Sequence, residues 1–400
     1  MSRLVLAGGN VWDADGRTFA PGVDVLCEGA KTLGVGRGLA AEGARTIDCR
    51  GMYILPGLID CHVHLSSDGD PGWAAGIATD PGPSQAWKIA ENARRTVEAG
   101  ITTVRDLGAP NQLNIHLARA IASGRLNGPT VIAAGMGVTM TGGHGHGFLA
   151  READGPDEVR KAVREQLRAG ATAIKLFASG GVMTPGVDPR SPSFTEAEMA
   201  AGVEEAHKAF RVVAAHAQAA EGVKNAIRAG VDSIEHGVWL DEEAIALMAE
   251  RGTYLVPTLT APHHIAHGGA EAGIPGYMVE KAWQVLDDHL ASYRAALNAG
   301  VRVAMGTDQG TPLSRPGDNA QEVLRMAANG LSNASAIMAA TGWAAALLHE
   351  PAGQLEAGLR ADAIVLRTNP LDDLEALARP TKFELIVARG EIVRRPPLEE

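Results

Sequence analysis

The 400-residue sequence predicts an α/β fold, namely a (β/α)8 TIM barrel with a small discontinuous β-sandwich domain formed by both chain ends. The first observation behind this prediction is a repeated phrase in which Gly follows a stretch rich in Ala, Glu, Arg and Leu. Gly just past a helix end adopts the left-handed cap conformation, and the β-branched run after it favours a strand, so each copy predicts a helix-to-strand joint. Close copies begin at Ala99, Ala169, Ala229 and Ala299, and a looser copy begins at Arg251.

The second observation is the spacing of the strands. The close copies lie about 60 to 70 residues apart, two further strand-like runs fall between them at 130–133 and 211–215, and an opening strand begins at Leu58. Eight strands that alternate with helices are typical of a (β/α)8 barrel, whose active site lies at the C-terminal ends of the strands. A doubly wound open sheet is the alternative, because alternation alone does not establish closure.

The third observation is that the two chain ends differ from this middle part. Residues 1–56 and the residues from about 353 onward contain short alternating runs punctuated by Gly and Asp, without a convincing helix. We therefore expect 1–56 and 351–400 to be two parts of one small β domain. The barrel, at 57–350, would be inserted between them, which close chain termini make possible.

Composition and charge exclude several classes of protein. The net charge of −11, without a long basic run, argues against nucleic acid or an anionic membrane as the partner. No apolar run reaches the roughly 18 to 20 residues that span a bilayer, and the run at 4–7 is too short for a signal-peptide core. Three cysteines without zinc-finger spacing predict reduced thiols. We expect a cytoplasmic homo-oligomer that acts on a small-molecule substrate.

The opening strand carries the first candidate functional residues. Its apolar run ends in His62 and His64, which are two residues apart. Side chains at this spacing point to the same face of a strand, so both imidazoles can bind one metal ion. Zinc or a similar divalent ion suits such ligands. For the pair alone, a strand-capping His beside a buried core His is an equal alternative, and residues further along the chain favour the metal.

Further polar residues fall where later barrel strands end, so we expect them to converge on one mouth of the barrel. Lys175 lies inside an apolar strand, where burial lowers the pKa of an amine; the neutral amine can add carbon dioxide to give a carbamate that bridges two metals. Asp308 can orient an activated water, accept its proton and return it to the leaving group. The expected set comprises His62, His64, Lys175, His216, His236 and Asp308.

On these residues the chain resembles the amidohydrolase superfamily, and within it the binuclear members related to imidazolonepropionase and to Xaa-Pro and other metal-dependent dipeptidases. The resemblance implies two divalent metal ions, with zinc expected, and an N6-carboxylated Lys175 as the bridge. It places His62 and His64 on the first metal and His216 and His236 on the second, with Asp308 as ligand and general acid/base. The matching motifs lie at 55–64, 174–175, 179–181, 216–217, 233–237, 306–308 and 361–365.

The resemblance says less about the substrate. His144, in a Gly-Gly-His-Gly segment typical of the dipeptidase-like branch, is expected to hydrogen-bond the substrate carbonyl, with His146 beside it. Trp239 stands where that branch usually has Tyr, which favours a bulkier or more aromatic acyl group. Arg315 can pair with a substrate carboxylate. The alternative is that these two histidines and Arg315 are simply solvated.

We therefore predict a metal-dependent hydrolase that cleaves an amide bond in a dipeptide or an N-acyl amino acid through a metal-bridging hydroxide. Hydrolysis of a cyclic amide or a lactone is the nearest alternative, because the same activated water attacks each carbonyl. A non-catalytic scaffold of the same fold is another. His263, His264 and His267, in a Gly-rich segment after the seventh strand, predict either a lid over the site or solvent-exposed histidines.

Overall fold

The computed structural model describes residues 2–39, 41–72 and 79–394. The strands are β1 (Arg3–Asp13), β2 (Thr18–Glu28), β3 (Lys31–Gly36), β4 (Arg45–Asp48), β5 (Tyr53–Pro56), β6 (Leu58–Val63), β7 (Ile101–Asp106), β8 (Thr130–Ala133), β9 (Gly137–Thr139), β10 (Ala150–Glu152), β11 (Ala173–Phe177), β12 (Val212–Ala219), β13 (Ser233–Trp239), β14 (Tyr254–Val256), β15 (Ala363–Leu366), β16 (Phe383–Ala388) and β17 (Glu391–Arg394). The α-helices are α1 (Gly82–Glu98), α2 (Leu113–Ala122), α3 (Gly155–Ala169), α4 (Glu196–Lys208), α5 (Ala220–Ala229), α6 (Glu242–Arg251), α7 (Thr260–Gly268), α8 (Gly276–Asn298), α9 (Gln321–Ala328), α10 (Asn333–Ala339) and α11 (Gly342–Leu348).

Both chain ends contribute to one eight-stranded sheet, in the order β17-β16-β15-β5-β1-β2-β3, with β4 beside β1. The two ends join where β15 pairs antiparallel with β5, so that Ala363 lies opposite Pro56 and Leu366 opposite Tyr53. This layer has an apolar cluster of its own, which includes Leu6, Ile54, Val365 and Val387. A β layer built from both ends is therefore confirmed, while the domain limits at 56/57 and 350/351 stay a prediction.

The middle of the chain forms parallel strands that alternate with helices. One sheet contains β6, β7 and β8, and a second contains β10, β9, β11, β12, β13 and β14 in that spatial order. Residues 301–309 bond to both sheets: the amide of Leu255 donates to the carbonyl of Arg302, and the amide of Cys61 donates to the carbonyl of Met305, each at 2.8 Å. This arrangement, with helices between successive strands, confirms the predicted barrel class.

The predicted eighth strand pairs less regularly than the others. It makes isolated bridges, such as the one between Leu255 and Val303, in place of a continuous ladder. Gly306 is pressed between β6 and β14, where an added Cβ would lie 2.3 Å from Cγ1 of Val256. Asp308 then adopts a left-handed φ of 57°. The chain turns at this point, and the turn brings Asp308 to the mouth of the barrel.

The repeated Gly residues end helices as predicted. Gly170, Gly230 and Gly252 follow α3, α5 and α6 with φ values of 108°, 94° and 67°. Gly100 and Gly300 lie just after α1 and α8 with φ values of 87° and 76°. Because left-handed φ values carry a steric cost for residues with a Cβ, these positions favour Gly. After each of these Gly residues the chain enters the next strand segment of the barrel.

The Gly-rich segment after the seventh strand begins with helix α7, a helix that the sequence analysis did not predict. Glu322 on α9 accepts hydrogen bonds from the amides of Leu259 and Thr260, each at 2.8 Å. These bonds satisfy backbone donors that a helix N-terminus otherwise leaves without a partner. Pro262 and Ile265 of α7 line the central cavity, so α7 covers one side of the site.

Candidate active site

Three candidate metal ligands meet at the C-terminal end of β6. Nε2 of His62 lies 3.2 Å from Oδ1 of Asp308, and Nε2 of His64 lies 3.3 Å from the same oxygen. One ligand atom from each residue falls within 4.8 Å of the others, and all three residues are buried. Two imidazole nitrogens and a carboxylate oxygen in such proximity are ligands that suit a divalent metal.

Hydrogen bonds from the backbone and from neighbouring side chains hold these three residues in place. The amide of Asp308 donates to the carbonyl of His62 at 2.8 Å, which joins the two ligand-bearing segments. The buried carboxylate of Asp60 accepts hydrogen bonds from the amide of His62 at 3.0 Å, from the amide of Thr307 at 3.1 Å and from Nδ2 of Asn319 at 2.8 Å. Asp60 therefore ties β6 to the segment that carries Asp308.

The other two predicted histidines lie beside this group. The ring centroids of His216 and His236 are 4.5 Å apart, and those of His62 and His236 are 5.2 Å apart. Nε2 of His216 bonds the carbonyl of Gly180 at 2.8 Å, and Nδ1 of His236 bonds Oγ1 of Thr258 at 2.7 Å. Each bond engages one ring nitrogen and leaves the other for a metal, as second-layer partners of metal ligands do.

Lys175 completes the predicted set. It is 1% exposed, and its Nζ has no hydrogen-bond partner among the described residues. Burial lowers the pKa of its amine to about 8. An unpaired buried amine is costly, and a neutral amine is reactive towards carbon dioxide. The structure thus brings all six predicted residues to one cavity: His62, His64, Lys175, His216, His236 and Asp308.

Two charged residues at the site were missed by the sequence analysis. Oε2 of Glu235 lies 2.8 Å from Nδ1 of His62, and Nη2 of Arg105 lies 2.8 Å from the other carboxylate oxygen of Glu235. Burial alone would raise the pKa of Glu235, but Arg105 and His62 together lower it to about 2. The carboxylate therefore orients His62, with Arg105 as its counter-ion. The available signal was charge inside two fully or largely buried strands, with Arg105 next to Asp106 at the end of β7 and Glu235 in β13.

Among the candidate substrate-binding residues, the structure brings His144 to the cavity. Its ring centroid lies 4.6 Å from that of His216, and its Nδ1 lies 2.7 Å from Oγ1 of Thr184. Burial lowers the pKa of His144 to about 3, so the ring is neutral. His146, Trp239 and Arg315 are not among the described residues that line the cavity. Nδ1 of His146 bonds the carbonyl of Gly143, and Arg315 is exposed. The substrate roles of all four residues, His144 included, stay predictions.

Trp239 packs at the outer side of the cavity wall. Its Nε1 donates to Oδ2 of Asp288 at 2.7 Å, and the guanidinium of Arg190 lies 5.0 Å from the ring. Both neighbours lie on other elements of the same end of the barrel, since Asp288 is on α8 and Arg190 follows β11. The indole therefore joins α8 to the loop after β11, and any effect on the substrate acts from this rim.

We expect Trp239→Tyr to raise kcat/KM for ordinary dipeptides relative to aromatic N-acyl substrates. A substrate group that extends to this rim would lose indole stacking worth roughly 0.5 to 1.5 kcal/mol and gain a phenol hydroxyl as a hydrogen-bond partner. The measurement is the ratio of the two kcat/KM values in wild type and mutant. Asp288→Asn is the matched control, because it alters the partner of the indole and keeps the ring. A ratio unchanged within about twofold would identify Trp239 as a packing residue.

The three histidines of α7 make contacts within the protein. Nδ1 of His263 accepts a hydrogen bond from Nη2 of Arg325 at 2.8 Å, and its ring stacks on His267 with centroids 4.0 Å apart. Nδ1 of His264 lies 3.3 Å from Oγ of Ser314. These contacts hold α7 against α9 and against the loop that follows Asp308. A lid function for this helix stays a prediction.

The candidate ligands line a pocket that encloses roughly 680 Å³, part of which is open to solvent. Its lining combines the polar group described above with many apolar side chains. An apolar lining with a few convergent polar groups is typical of small-molecule sites. No helix in the described ranges is long and apolar enough to cross a membrane.

A barrel of parallel strands with a buried His-His-Asp group at the strand ends defines the class of metal-dependent barrel hydrolases. The sequence pattern of the amidohydrolase family matches residues 53–393. The chain belongs to the amidohydrolase family, and it is a hydrolytic enzyme that acts on C–N bonds.

Individual relatives agree with this assignment. Ochratoxinase from Aspergillus niger is 34% identical over 378 residues, which cover 86% of this chain and 76% of ochratoxinase. A solved prolidase with bound N-methylphosphonate-L-proline is 34% identical, with a TM-score of 0.91 over 98% of this chain and 100% of the prolidase chain. A solved Xaa-Pro dipeptidase with methionine in its active site is 33% identical, with a TM-score of 0.88 over 98% and 99%. The predicted resemblance to the dipeptidase-like branch is confirmed.

Proposed function

We propose that this protein is a binuclear metal-dependent hydrolase that cleaves the amide bond of an N-acyl amino acid or a dipeptide. The observation that carries the proposal is the convergence on a single cavity of four histidines, one aspartate and one lysine whose Nζ has no hydrogen-bond partner among the described residues. Similarity to ochratoxinase, to a prolidase and to a Xaa-Pro dipeptidase supports amide substrates. The partner is a small molecule. A homo-oligomeric state and a cytoplasmic location remain predictions.

The residues present fit a pair of divalent metals, and their nitrogen and oxygen donors favour zinc. His62 and His64 would hold one ion, and His216 and His236 the other. Lys175 would bridge them as a carbamate, which accounts for a buried Nζ that has no hydrogen-bond partner among the described residues. When bound, such a pair lowers the pKa of a water molecule and polarises the substrate carbonyl.

The chain's own residues supply the proton transfers. Asp308 accepts the proton of the attacking water and passes it to the leaving nitrogen, a role that needs a carboxylate beside the reacting atoms. Oγ1 of Thr184 accepts from the amide of Gly145, and its hydroxyl can donate to Nδ1 of His144 when the His144 proton is on Nε2. The remaining N–H of His144, at Nε2, is then free to donate to the substrate carbonyl oxygen. Glu235 holds His62 in the matching orientation.

The test combines metal analysis with a hydrolysis screen. Protein purified with zinc supplied should contain about two metals per chain, lose activity on chelation and regain it when zinc returns. The screen compares N-acyl amino acids, dipeptides, cyclic amides and lactones, and we expect the first two classes to be hydrolysed best. Preference for lactones or cyclic amides would replace the proposed substrate class. Less than about one metal per chain together with no hydrolysis would support the scaffold alternative.

A further inference from the structure

Besides the candidate metal ligands, the cavity has a wall of apolar side chains. Its side chains come from the segment after β9, the loop after β11, the end of β13, and helices α7 and α8. Such a surface favours an apolar substrate group, because burying that group removes apolar area from water. The residues are Phe148, Leu149, Val182, Val238, Ile265 and Val285.

Positive charge is scarce on this cavity. Among the lining residues that the structure describes, Lys175 is the single Lys and no Arg occurs. Lys281 on α8 lies behind the wall, where its Nζ donates to the carbonyls of Thr184 at 3.0 Å and Val187 at 2.6 Å. Its charge therefore stabilises the loop after β11. A substrate carboxylate placed against this apolar wall, away from the candidate metal ligands, would find no cationic side chain among the described lining residues to pair with.

One neutral polar side chain stands on the cavity without an explained role. Gln218 lies two residues after His216 on β12, so both side chains point to the same face. Gln218 is 5% exposed and lines the cavity, and its Oε1 has no hydrogen-bond partner among the described residues. Its backbone amide donates to Oγ of Ser179 at 3.0 Å, which fixes its place. Leaving a buried acceptor such as this Oε1 without a hydrogen bond is costly, and a ligand that donates a hydrogen bond to it would remove that cost.

We propose that the cavity takes a neutral, mainly apolar acyl group and that Gln218 hydrogen-bonds a neutral polar group on it. The inference rests on the proposed amide hydrolysis and specifies its substrate. The leaving amino acid bears a carboxylate, which lacks a partner on the described wall, so the acyl group is the part that fits the cavity. A carboxamide can both donate to and accept from the Gln218 amide, whereas a carboxylate there is desolvated without a counter-ion.

Three acyl groups of equal shape test this inference on the zinc-loaded enzyme. They are 5-methylhexanoyl, glutaramoyl and glutaryl, which end in an isopropyl group, a carboxamide and a carboxylate, each joined to L-alanine. We expect kcat/KM for the first two to exceed that for glutaryl-L-alanine by at least about tenfold, because the carboxylate loses its solvation inside the cavity. Equal or faster hydrolysis of the glutaryl compound would overturn the neutral-cavity inference.

Gln218→Met, which keeps the length of the side chain, isolates the hydrogen bond. It should lower kcat/KM for the glutaramoyl compound about fivefold and leave the 5-methylhexanoyl compound within about twofold, as expected for one neutral hydrogen bond. Gln218→Leu repeats the comparison if the Met variant folds poorly. An equal loss on all three compounds would make Gln218 a structural residue. Hydrolysis of other amides but of none of these three would also overturn the inference, whereas hydrolysis of no amide would refute the proposed function itself.

Discussion

We expect Asp308→Asn to keep its metal and to lose about 10²- to 10⁴-fold of kcat. The Asn side chain retains an oxygen where Oδ1 of Asp308 faces His62 and His64, so metal content should change little. It cannot accept a proton at neutral pH, so attack by water and protonation of the leaving nitrogen both slow down. The measurements are metal per chain and kcat on the best substrate of the screen.

Asp318→Asn is the matched control for this change. Asp318 lies in the same loop, ten residues further on, and is exposed at the surface. The same loss of a carboxylate there should leave kcat within about twofold, because surface substitutions rarely disturb a distant site. Near wild-type turnover by an Asp308→Asn enzyme with full metal content would remove Asp308 from the proton-transfer role.

The sequence alone was sufficient for the barrel and for its candidate ligands because both depend on local patterns. A Gly after a helix and a β-branched run after that Gly are contiguous in the chain, so Gly170 and Gly230 could be assigned their left-handed caps in advance. The ligands follow from one further rule, that strand C-terminal ends share one mouth of a barrel. His216 on β12 and His236 on β13 were found in this way.

Sequence patterns did not reveal the residues that act through contacts between distant parts of the chain. Arg105 and Glu235 lie on β7 and β13, which belong to different hydrogen-bonded sheets, so their ion pair across the barrel cannot be read from either strand. α7 was missed for another reason. Its N-terminus is held by Glu322, which lies some sixty residues further along the chain, and its own sequence contains Gly, Pro and three His. Tertiary contacts overrode weak local helix propensity there.

Substrate residues were the least predictable part of the site. His144 lines the cavity, and its contact with the substrate stays a prediction. Trp239 was placed near the substrate from its distance in sequence to His236; its Nε1 bonds Asp288 at the rim, and its substrate role also stays a prediction. Gln218 lies two residues after His216 on the same strand, so the alternation of side chains along a strand could have placed it on the same face in advance.

We expect Lys175→Ala to lose at least one metal per chain and most of its turnover. The amine is buried among the candidate ligands and has no hydrogen-bond partner among the described residues, so its removal deletes the proposed bridge and leaves a space. Loss of one ligand or second-layer contact commonly costs about 10- to 100-fold in metal affinity or activity. Metal content by elemental analysis and kcat on the same preparation test this expectation.

Rescue experiments distinguish a carbamate from an ordinary structural lysine. Acetate or propionate can occupy the space left in Lys175→Ala and supply two bridging oxygens, so part of the metal content and turnover should return when either acid is added. Lys175→Met lacks the amine but fills the space, and the same acids should have no effect on it. Lys281→Met removes a lysine that donates to the loop after β11, outside the ligand group, and should likewise show no response to the acids. Two bound metals and normal turnover in Lys175→Ala would rule out the bridge, because a carbamate cannot form without the amine.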